Sequence, residues 1–289
     1  MPNVNVLDST MSYRESGSGT PLVFLHGNPT SSHVWRHVLP RIGEPGRLIA
    51  PDLIGMGDSG KPPIDYTYDD QARYLDAWFD AMELDGVILV GHDWGGALAL
   101  DWASRNPGRV RGIALMETII KPMVGDEFPD PARGYFAAIK TPGVGEEMIL
   151  DQNAQLERSL GRSGDRVTDE DREIYRRPYP TRESRLPLLR WPRSMPVDGD
   201  PAEVVARVEA YDLWLAASPS VPKLLLAFDP DGPGILMGRR LVDWCASNIS
   251  GLEIAQCGFA THVVPEDQPE AIAAAIVAWA DRHRLRAIR

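Results

Sequence analysis

The stretch of sequence that decides the fold is Val87-Ile-Leu-Val-Gly91-His-Asp93-Trp-Gly-Gly96. Four aliphatic residues lead directly into a glycine-rich turn, and a helical pattern follows over residues 95–106 until Pro107 ends it. Small residues on both sides of such a turn allow a strained backbone to hold one side chain above the end of a strand. We therefore predict a strand, a sharp turn that presents Asp93, and a helix.

Runs of branched aliphatic residues with little polar alternation flank this stretch on both sides. Such runs are typical of strands that are buried on both faces, as in a parallel sheet. The runs lie at residues 21–25, 46–51, 86–91, 110–116, 222–228 and 251–256, and helical patterns occupy residues 68–84, 95–106 and 269–282. This order predicts an α/β fold with a mostly parallel central sheet flanked by helices.

The pattern changes between residues 118 and 211, where Pro, Gly and Arg are frequent and no strand pattern is clear. We predict that a core domain of residues 1–117 and 214–289 is interrupted by a helical cap domain of residues 118–213. Within this insert, residues 158–193 contain ten Arg and six acidic residues. We interpret these charges as a solvated helical surface in preference to a substrate-steering one.

Composition and charge exclude several classes of protein. The 289 residues carry 30 Lys and Arg against 41 Asp and Glu, a net charge of −11, which disfavours nucleic-acid and anionic-membrane partners. Cys245 and Cys257 are too few for a disulfide scaffold and lack metal-ligand spacing. Residues 1–20 show no signal-peptide pattern, and no apolar run reaches about 18 residues, so we predict a cytoplasmic protein.

Asp93 occupies the position at which such a turn presents a nucleophile. A carboxylate is ionised at neutral pH and needs no base to activate it, so it can attack an sp³ carbon and form an alkyl ester. The displaced group must then be a halide or the oxygen of a strained epoxide. A helix N-cap is the structural alternative for Asp93, and the glycines at 91, 95 and 96 favour the nucleophile.

Hydrolysis of that ester requires a base, and His262 is the histidine that follows the last predicted strand. The carboxyl ends of parallel strands meet at one edge of a sheet, which puts His262 within reach of Asp93. A carboxylate must fix the tautomer of this base. Glu117 follows one strand and Asp229 and Asp231 follow another, and the spacing leaves the choice open. We assign structural or surface roles to the remaining histidines, which are His26, His33, His37, His92 and His283.

Around these residues the sequence resembles the haloalkane dehalogenases of the α/β-hydrolase superfamily. The likeness covers nearly the whole chain and rests on six motifs. They are His26-Gly-Asn28-Pro-Thr-Ser-Ser32 with Trp35 and Arg36, Asp52-Leu-Ile-Gly-Met-Gly-Asp58-Ser59, Gly91-His-Asp93-Trp94-Gly95, Met116-Glu117, Trp191-Pro-Arg193, and His262 ahead of Glu266-Asp267. The resemblance implies an α/β-hydrolase fold with a helical cap inserted after the sixth strand.

The resemblance also implies roles for individual residues. In the similar subfamily the acid follows the sixth strand as Glu, the place held here by Glu117, and Asn28 and Trp94 stand at the halide-binding positions. Neutral N–H donors stabilise a leaving halide without retaining the product ion too tightly. The implied reaction is hydrolysis of a small apolar haloalkane to an alcohol, a halide ion and a proton through an ester on Asp93. No cofactor and no metal are implied.

The sequence departs from the family pattern at one further point, and two alternative functions remain open. The stretch Gly258-Phe-Ala-Thr-His262 is longer than the expected turn, which would shift the imidazole or widen the pocket floor. An epoxide hydrolase would share the nucleophile and the base and would use cap tyrosines, for which Tyr135, Tyr175 and Tyr179 are available. A non-catalytic ligand-binding protein of the same fold is the second alternative. Candidate pocket walls, for which core packing is an equal alternative, are Phe128, Phe136, Leu150, Leu156, Leu160, Trp214 and Ile235.

Overall fold

A computed structural model describes residues 1–127, 130–162 and 166–287 of the chain. Within these residues eight strands form one sheet: β1 (Asn3–Val6), β2 (Ser9–Ser18), β3 (Pro21–Leu25), β4 (Gly46–Pro51), β5 (Val87–His92), β6 (Val110–Met116), β7 (Lys223–Ala227) and β8 (Leu252–Gln256). Their spatial order is β1-β2-β4-β3-β5-β6-β7-β8. The pairings of β2 with β1 and with β4 are antiparallel, and the pairings from β4 to β8 are parallel.

Helices connect the strands and cover both faces of the sheet. In chain order they are α1 (Leu39–Ile42), α2 (Tyr68–Ala81), α3 (Trp94–Arg105), α4 (Asp130–Lys140), α5 (Val144–Glu146), α6 (Ala154–Arg162), α7 (Asp169–Arg176), α8 (Leu186–Arg193), α9 (Ala202–Ala217), α10 (Arg239–Asn248), α11 (Val264–Asp267) and α12 (Pro269–Arg282). Local chemistry sets several of their ends. At the start of α2, for example, the Thr67 hydroxyl and the Asp70 carboxylate each accept a hydrogen bond from the other residue's backbone N–H.

The parallel strands are buried on both faces because helices pack on both sides of the sheet. Along β3, Leu22 and Phe24 face a core that includes Trp279 of α12. Val23 and Leu25 face the opposite core, which includes side chains of α2 and α3. This two-sided burial is the physical reason for the continuous aliphatic runs in the sequence.

The predicted α/β-hydrolase fold is confirmed, and the six predicted strands are observed within one residue of their predicted ends. Strands β1 and β2 were missed by the sequence analysis. Strand β2 has the sequence STMSYRESGS, in which Met11 and Tyr13 are the only large apolar residues, and its second half is exposed. A strand that buries so little apolar surface leaves a weak hydrophobic pattern.

Helices α4 to α9 lie between β6 and β7, the segment in which the sequence predicts a cap. The division into a core of residues 1–117 and 214–289 and a cap of residues 118–213 stays a prediction. Its second boundary falls inside α9, which runs without a break from Ala202 to Ala217. Helix α9 packs on α3, and its Tyr211 hydroxyl donates a hydrogen bond to the carbonyl of Ile119 at 2.7 Å.

Lys223 is a buried cation at the start of β7. Its Nζ donates hydrogen bonds to the backbone carbonyls of Ser218 at 2.6 Å, Val221 at 3.0 Å and Ser250 at 2.9 Å. The residue has no exposed surface, and burial lowers the pKa of Lys223 to about 8. The ammonium group therefore ties together the loops that lead into β7 and β8.

We predict that Lys223→Met lowers the free energy of unfolding by about 2–4 kcal/mol, because three buried carbonyls lose a charged donor. Urea unfolding measures the change. As a control, Leu213→Ala removes a side chain that is 73% exposed and should change the free energy by less than about 0.5 kcal/mol. Equal stability of Lys223→Met and the unsubstituted protein would contradict the anchoring role of Lys223.

Candidate active site

Asp93 lies in the turn between β5 and α3 with φ of 52° and ψ of −129°, a backbone conformation that non-glycine residues rarely adopt. The turn requires glycine on both sides for steric reasons. A Cβ on Gly95 would lie 2.2 Å from the carbonyl oxygen of Leu25, and one on Gly91 would lie 2.4 Å from Cα of Gly96. The predicted sharp turn is present, and it lifts the Asp93 carboxylate above the carboxyl ends of the strands.

Two neighbouring loops hold Asp93 in place. The backbone N–H of Asn28, which follows β3, donates to Asp93 Oδ1 at 2.8 Å. The Thr118 hydroxyl, which follows β6, donates to the main-chain carbonyl of Asp93 at 2.6 Å. Asp93 is 5% exposed. The sequence analysis did not single out Thr118, and the available signal was its position directly after Glu117 at the end of a strand.

His262 connects Asp93 to a second carboxylate. Its Nε2 lies 3.2 Å from Asp93 Oδ2, and its Nδ1 lies 3.1 Å from Glu117 Oε2. Glu117 is buried, and its carboxylate accepts the backbone N–H groups of Leu236 at 2.6 Å and Met237 at 3.1 Å. These two donors fix the orientation of the carboxylate that faces the imidazole.

Asp229 and Asp231, the other candidate acids, lie in an exposed turn and not beside His262. Asp229 Oδ1 accepts the backbone N–H of Asp231 at 3.0 Å within an exposed turn, and both residues are exposed. Among these three candidates, Glu117 is the one that contacts His262. Its backbone has φ of 46°, a second strained position at the end of a strand.

The long turn before His262 does not move the imidazole out of reach of its partners. The Thr261 backbone N–H and hydroxyl both donate to Asp267, at 2.7 and 2.6 Å, and the Gln268 side chain donates to the Phe259 carbonyl at 2.6 Å. The additional length is placed at the surface, where Phe259 is 57% exposed. His262 therefore contacts both of its expected partners in spite of the long turn.

The pKa values of His262 and Asp93 depend on each other. Burial alone would lower the pKa of His262, but hydrogen bonds and Coulomb attraction to Asp93 and Glu117 outweigh it and raise the pKa to about 10. Burial alone would raise the pKa of Asp93, but His262 keeps it below the usual range. At neutral pH His262 is therefore an imidazolium in contact with the Asp93 carboxylate.

Two further histidines beside the site have structural hydrogen bonds. His26 Nδ1 donates to the carbonyl of Gly27, and its Nε2 accepts the N–H of Leu53, both at 2.9 Å. His92 Nε2 donates to the main-chain carbonyl of His262 at 2.8 Å. Burial lowers the pKa of both rings, that of His92 to about 4, so both are neutral at pH 7. His92 thereby supports the loop that carries His262.

Asn28 and Trp94 line the cavity above Asp93. Neither the Asn28 side-chain amide nor the Trp94 indole N–H donates a hydrogen bond to any residue in the described part of the chain. The Trp94 ring stacks on Trp191 with the ring centroids 4.9 Å apart, and the Trp191 Nε1 donates to the sulfur of Met56 at 3.3 Å. Two unused N–H donors of fixed position beside a carboxylate can bind a small anion.

A cavity of about 490 Å³ opens above these residues. Of the candidate wall residues, Phe136 and Ile235 line it. Four others pack into the hydrophobic core instead, namely Leu150, Leu156, Leu160 and Trp214. Phe128 lies outside the described residues.

Within residues 1–127, 130–162 and 166–287, no helix has the length and hydropathy needed to cross a bilayer. Within those same ranges, no three His, Cys, Asp or Glu side chains are grouped in a way that could hold a metal ion. Cys245 and Cys257 are buried free thiols.

Comparison with known sequences and structures identifies relatives along the entire chain. The family described as alpha/beta hydrolase fold matches residues 20–160. A haloalkane dehalogenase of Mesorhizobium japonicum is 45% identical over 280 residues, which are 96% of this chain and 89% of that protein.

Two solved structures show the same similarity in three dimensions. The crystal structure of haloalkane dehalogenase DbeA from Bradyrhizobium elkani has 44% sequence identity and a TM-score of 0.92, with 98% of each chain covered. That of haloalkane dehalogenase DatA from Agrobacterium tumefaciens has 42% identity and a TM-score of 0.91, covering 98% of this chain and 96% of the other. Because identity above 40% extends over nearly the whole length, the chain belongs to the haloalkane dehalogenase family, within the α/β-hydrolase fold.

Proposed function

We propose that this protein hydrolyses the carbon–halogen bond of small haloalkanes to give an alcohol, a halide ion and a proton. The observation that carries the proposal is the combination at the floor of one cavity. There a buried carboxylate, Asp93, contacts an imidazole, and Asn28 and Trp94, whose side-chain N–H donors are unused, line the same cavity. Such a set suits displacement of a leaving anion followed by ester hydrolysis.

Asp93 Oδ2 is the attacking atom. Its partner Oδ1 is occupied by the backbone N–H of Asn28, and the backbone N–H of Trp94 also stabilises the carboxylate. When Oδ2 bonds to the substrate carbon, the carbon–halogen bond breaks and the halide leaves with the electron pair. Oδ1 then becomes the carbonyl oxygen of the ester, already placed at donors that stabilise an oxyanion.

The departing halide is stabilised by the side chains of Asn28 and Trp94. Both donors are neutral, so they favour the developing charge in the transition state without a full countercharge that would retain the product. Trp191 stacks on Trp94 and fixes the direction of the indole N–H. This preorganised geometry costs little reorganisation during the reaction.

The alkylation step itself prepares His262 to act as a base. Ester formation removes the negative charge of Asp93, one of the two carboxylates that raise the pKa of His262. The pKa then falls, and the imidazolium can lose its proton to solvent. Neutral His262, oriented by Glu117, takes a proton from water as the water oxygen attacks the ester carbonyl, and the alcohol leaves with that proton.

The alternative functions have weaker support. Epoxide opening needs tyrosine donors beside the nucleophile, but the Tyr175 hydroxyl donates to Glu266, and neither Tyr175 nor Tyr179 lines the cavity. Tyr135 lines it, and its hydroxyl donates to Gln155 at 2.6 Å. A non-catalytic binding protein would have no need for Asp93, His262 and Glu117 to lie in hydrogen-bonding contact.

We predict that His262→Ala traps the reaction at the ester. Exposed to 1,2-dibromoethane, the variant should release about one bromide per protein molecule, since Asp93 needs no base to attack but water does. Mass spectrometry of the Asp93 peptide should show the added bromoethyl group, and Asp93→Asn should show none. Wild-type turnover by His262→Ala without any adduct would contradict the scheme.

Opening of styrene oxide by the unsubstituted protein without bromide release would favour the epoxide hydrolase.

We predict that His262 titrates near pH 10 in the unliganded protein and that Asp93→Asn shifts its pKa down towards 6.5. Because the folded-state pKa is raised, the imidazolium stabilises the fold fully below pH 6.5, and this contribution is lost as the pH rises through about 10. Histidine ring signals in NMR spectra measure the shift. His33, whose pKa is lowered by burial and whose charged neighbours are Asp171, Arg36 and Arg14, serves as the internal reference, and an unchanged His262 pKa in Asp93→Asn would contradict the coupling.

We predict that Trp94→Phe lowers the rate of halide displacement by about 100-fold, because one N–H donor to the leaving ion is lost while the ring remains. The matched control is Trp191→Phe. The indole N–H that this variant loses donates to the sulfur of Met56 and not to the leaving halide. Its effect should stay below about tenfold. Stopped-flow measurement of the alkylation step separates the two variants, and similar losses in both would assign Trp94 a packing role.

A further inference from the structure

The arginine-rich segment, residues 158–193, contains two arginines that differ from the others. Eight of its ten arginines bond to a carboxylate or a backbone carbonyl, and for them the interpretation as a solvated surface suffices. They are Arg166, Arg172, Arg176, Arg177, Arg182, Arg185, Arg190 and Arg193. Arg158 and Arg162 have no such partner among the described residues, and both line the cavity that contains Asp93.

These two residues, the arginine pair, lie one turn apart on α6. The Arg158 guanidinium stacks over the ring of Tyr135 at 4.3 Å from the centroid. The Nη1 of Arg162 lies 3.2 Å from the point that a Cβ on Gly234 would occupy, and Cβ of His262 lies 3.7 Å from the same point. Arg162 is therefore close to the loop that carries the imidazole.

The arginine pair carries an electrostatic cost in the unliganded protein. Like charges four residues apart on a helix repel each other, and partial burial together with Arg158 lowers the pKa of Arg162. The C-terminal end of α6 favours a cation at Arg162, but it leaves the position of Arg158 in mid-helix unexplained. Asp93 is the only carboxylate among the described residues that line the cavity. Because Asp93 is paired with His262, no lining carboxylate among the described residues balances the charge of the arginine pair.

We propose that the arginine pair binds the carboxylate of an ω-haloalkanoate, a substrate with a halogen at one end and a carboxylate at the other. The substrate carboxylate is attracted by Arg158 and Arg162 at the cavity wall, so the substrate binds with its halogen towards Asp93. A guanidinium matches a carboxylate in geometry and forms charge-assisted hydrogen bonds with it. The reaction consumes water and yields the ω-hydroxyalkanoate, halide and a proton.

This inference rests on the proposed function and refines its substrate class. The test compares kcat/KM for ω-bromoalkanoates of four to eight carbons with kcat/KM for the amides of the same length, which differ in charge alone. At the preferred length the acid should be favoured at least tenfold over the amide. Each of Arg158→Gln and Arg162→Gln should lower this ratio about tenfold, the range of one charge-assisted hydrogen bond. Added salt should also lower it.

Arg177→Gln is the matched control, because it removes the same charge from an exposed cap arginine that pairs with Asp58. It should leave the acid-to-amide ratio within twofold of the unsubstituted protein. No preference for the acid, or an equal loss of preference in Arg177→Gln, would overturn the inference.

Bromide release from neutral 1-bromohexane tests the proposed function separately. If bromide is released from neither neutral nor anionic substrates, the proposed function fails. The arginine pair is then judged by calorimetric binding of hexanoate and hexanamide. Tighter binding of hexanoate that is lost in Arg158→Gln supports the inference, and equal binding of the two compounds overturns it.

Discussion

The strained backbone of Asp93 is the constraint on which the rest of the site depends. Its positive φ is held by the close approach of Gly95 to β3 and of Gly91 to α3, and by the bonds from Asn28 and Thr118. Strain of this kind persists only where the surrounding structure over-determines the conformation. Because β5 lies between β3 and β6, the loops after these two strands supply the groups around Asp93.

Neutral and charged groups occupy different parts of the site. In the proposed reaction the halide leaves beside the neutral donors of Asn28 and Trp94, whereas Asp93, His262 and Glu117 are held in buried contact and Arg158 and Arg162 line the cavity wall. In that proposed reaction, alkylation of Asp93 removes one of the carboxylates that raise the pKa of His262, so one covalent step alters the protonation of the base required for the next.

Some strands and site residues could be predicted from the sequence, and others could not. The strands β3 to β8 were predictable because burial on both faces requires continuous aliphatic residues, whereas β2 is half exposed and mostly polar. Asp93 and His262 were found because a glycine-flanked turn and the end of the last strand are local signals. The choice between Glu117 and Asp229 was not accessible to spacing, since both follow strands. It depends on the direction in which each loop turns.

The sequence by itself determined the strands β3 to β8, the helices α2, α3 and α12, the residue at the elbow and the family resemblance, because these depend on local pattern and residue type. Tertiary structure decided between Glu117 and the two aspartates, a choice that the spacing had left open and for which the resemblance implied Glu117. It alone decided which pocket residues face the cavity. It also decided which two of ten cap arginines remain without a carboxylate or carbonyl partner among the described residues. The physical reason is that a contact between residues 145 positions apart, as for Glu117 and His262, is set by the packing of the whole sheet.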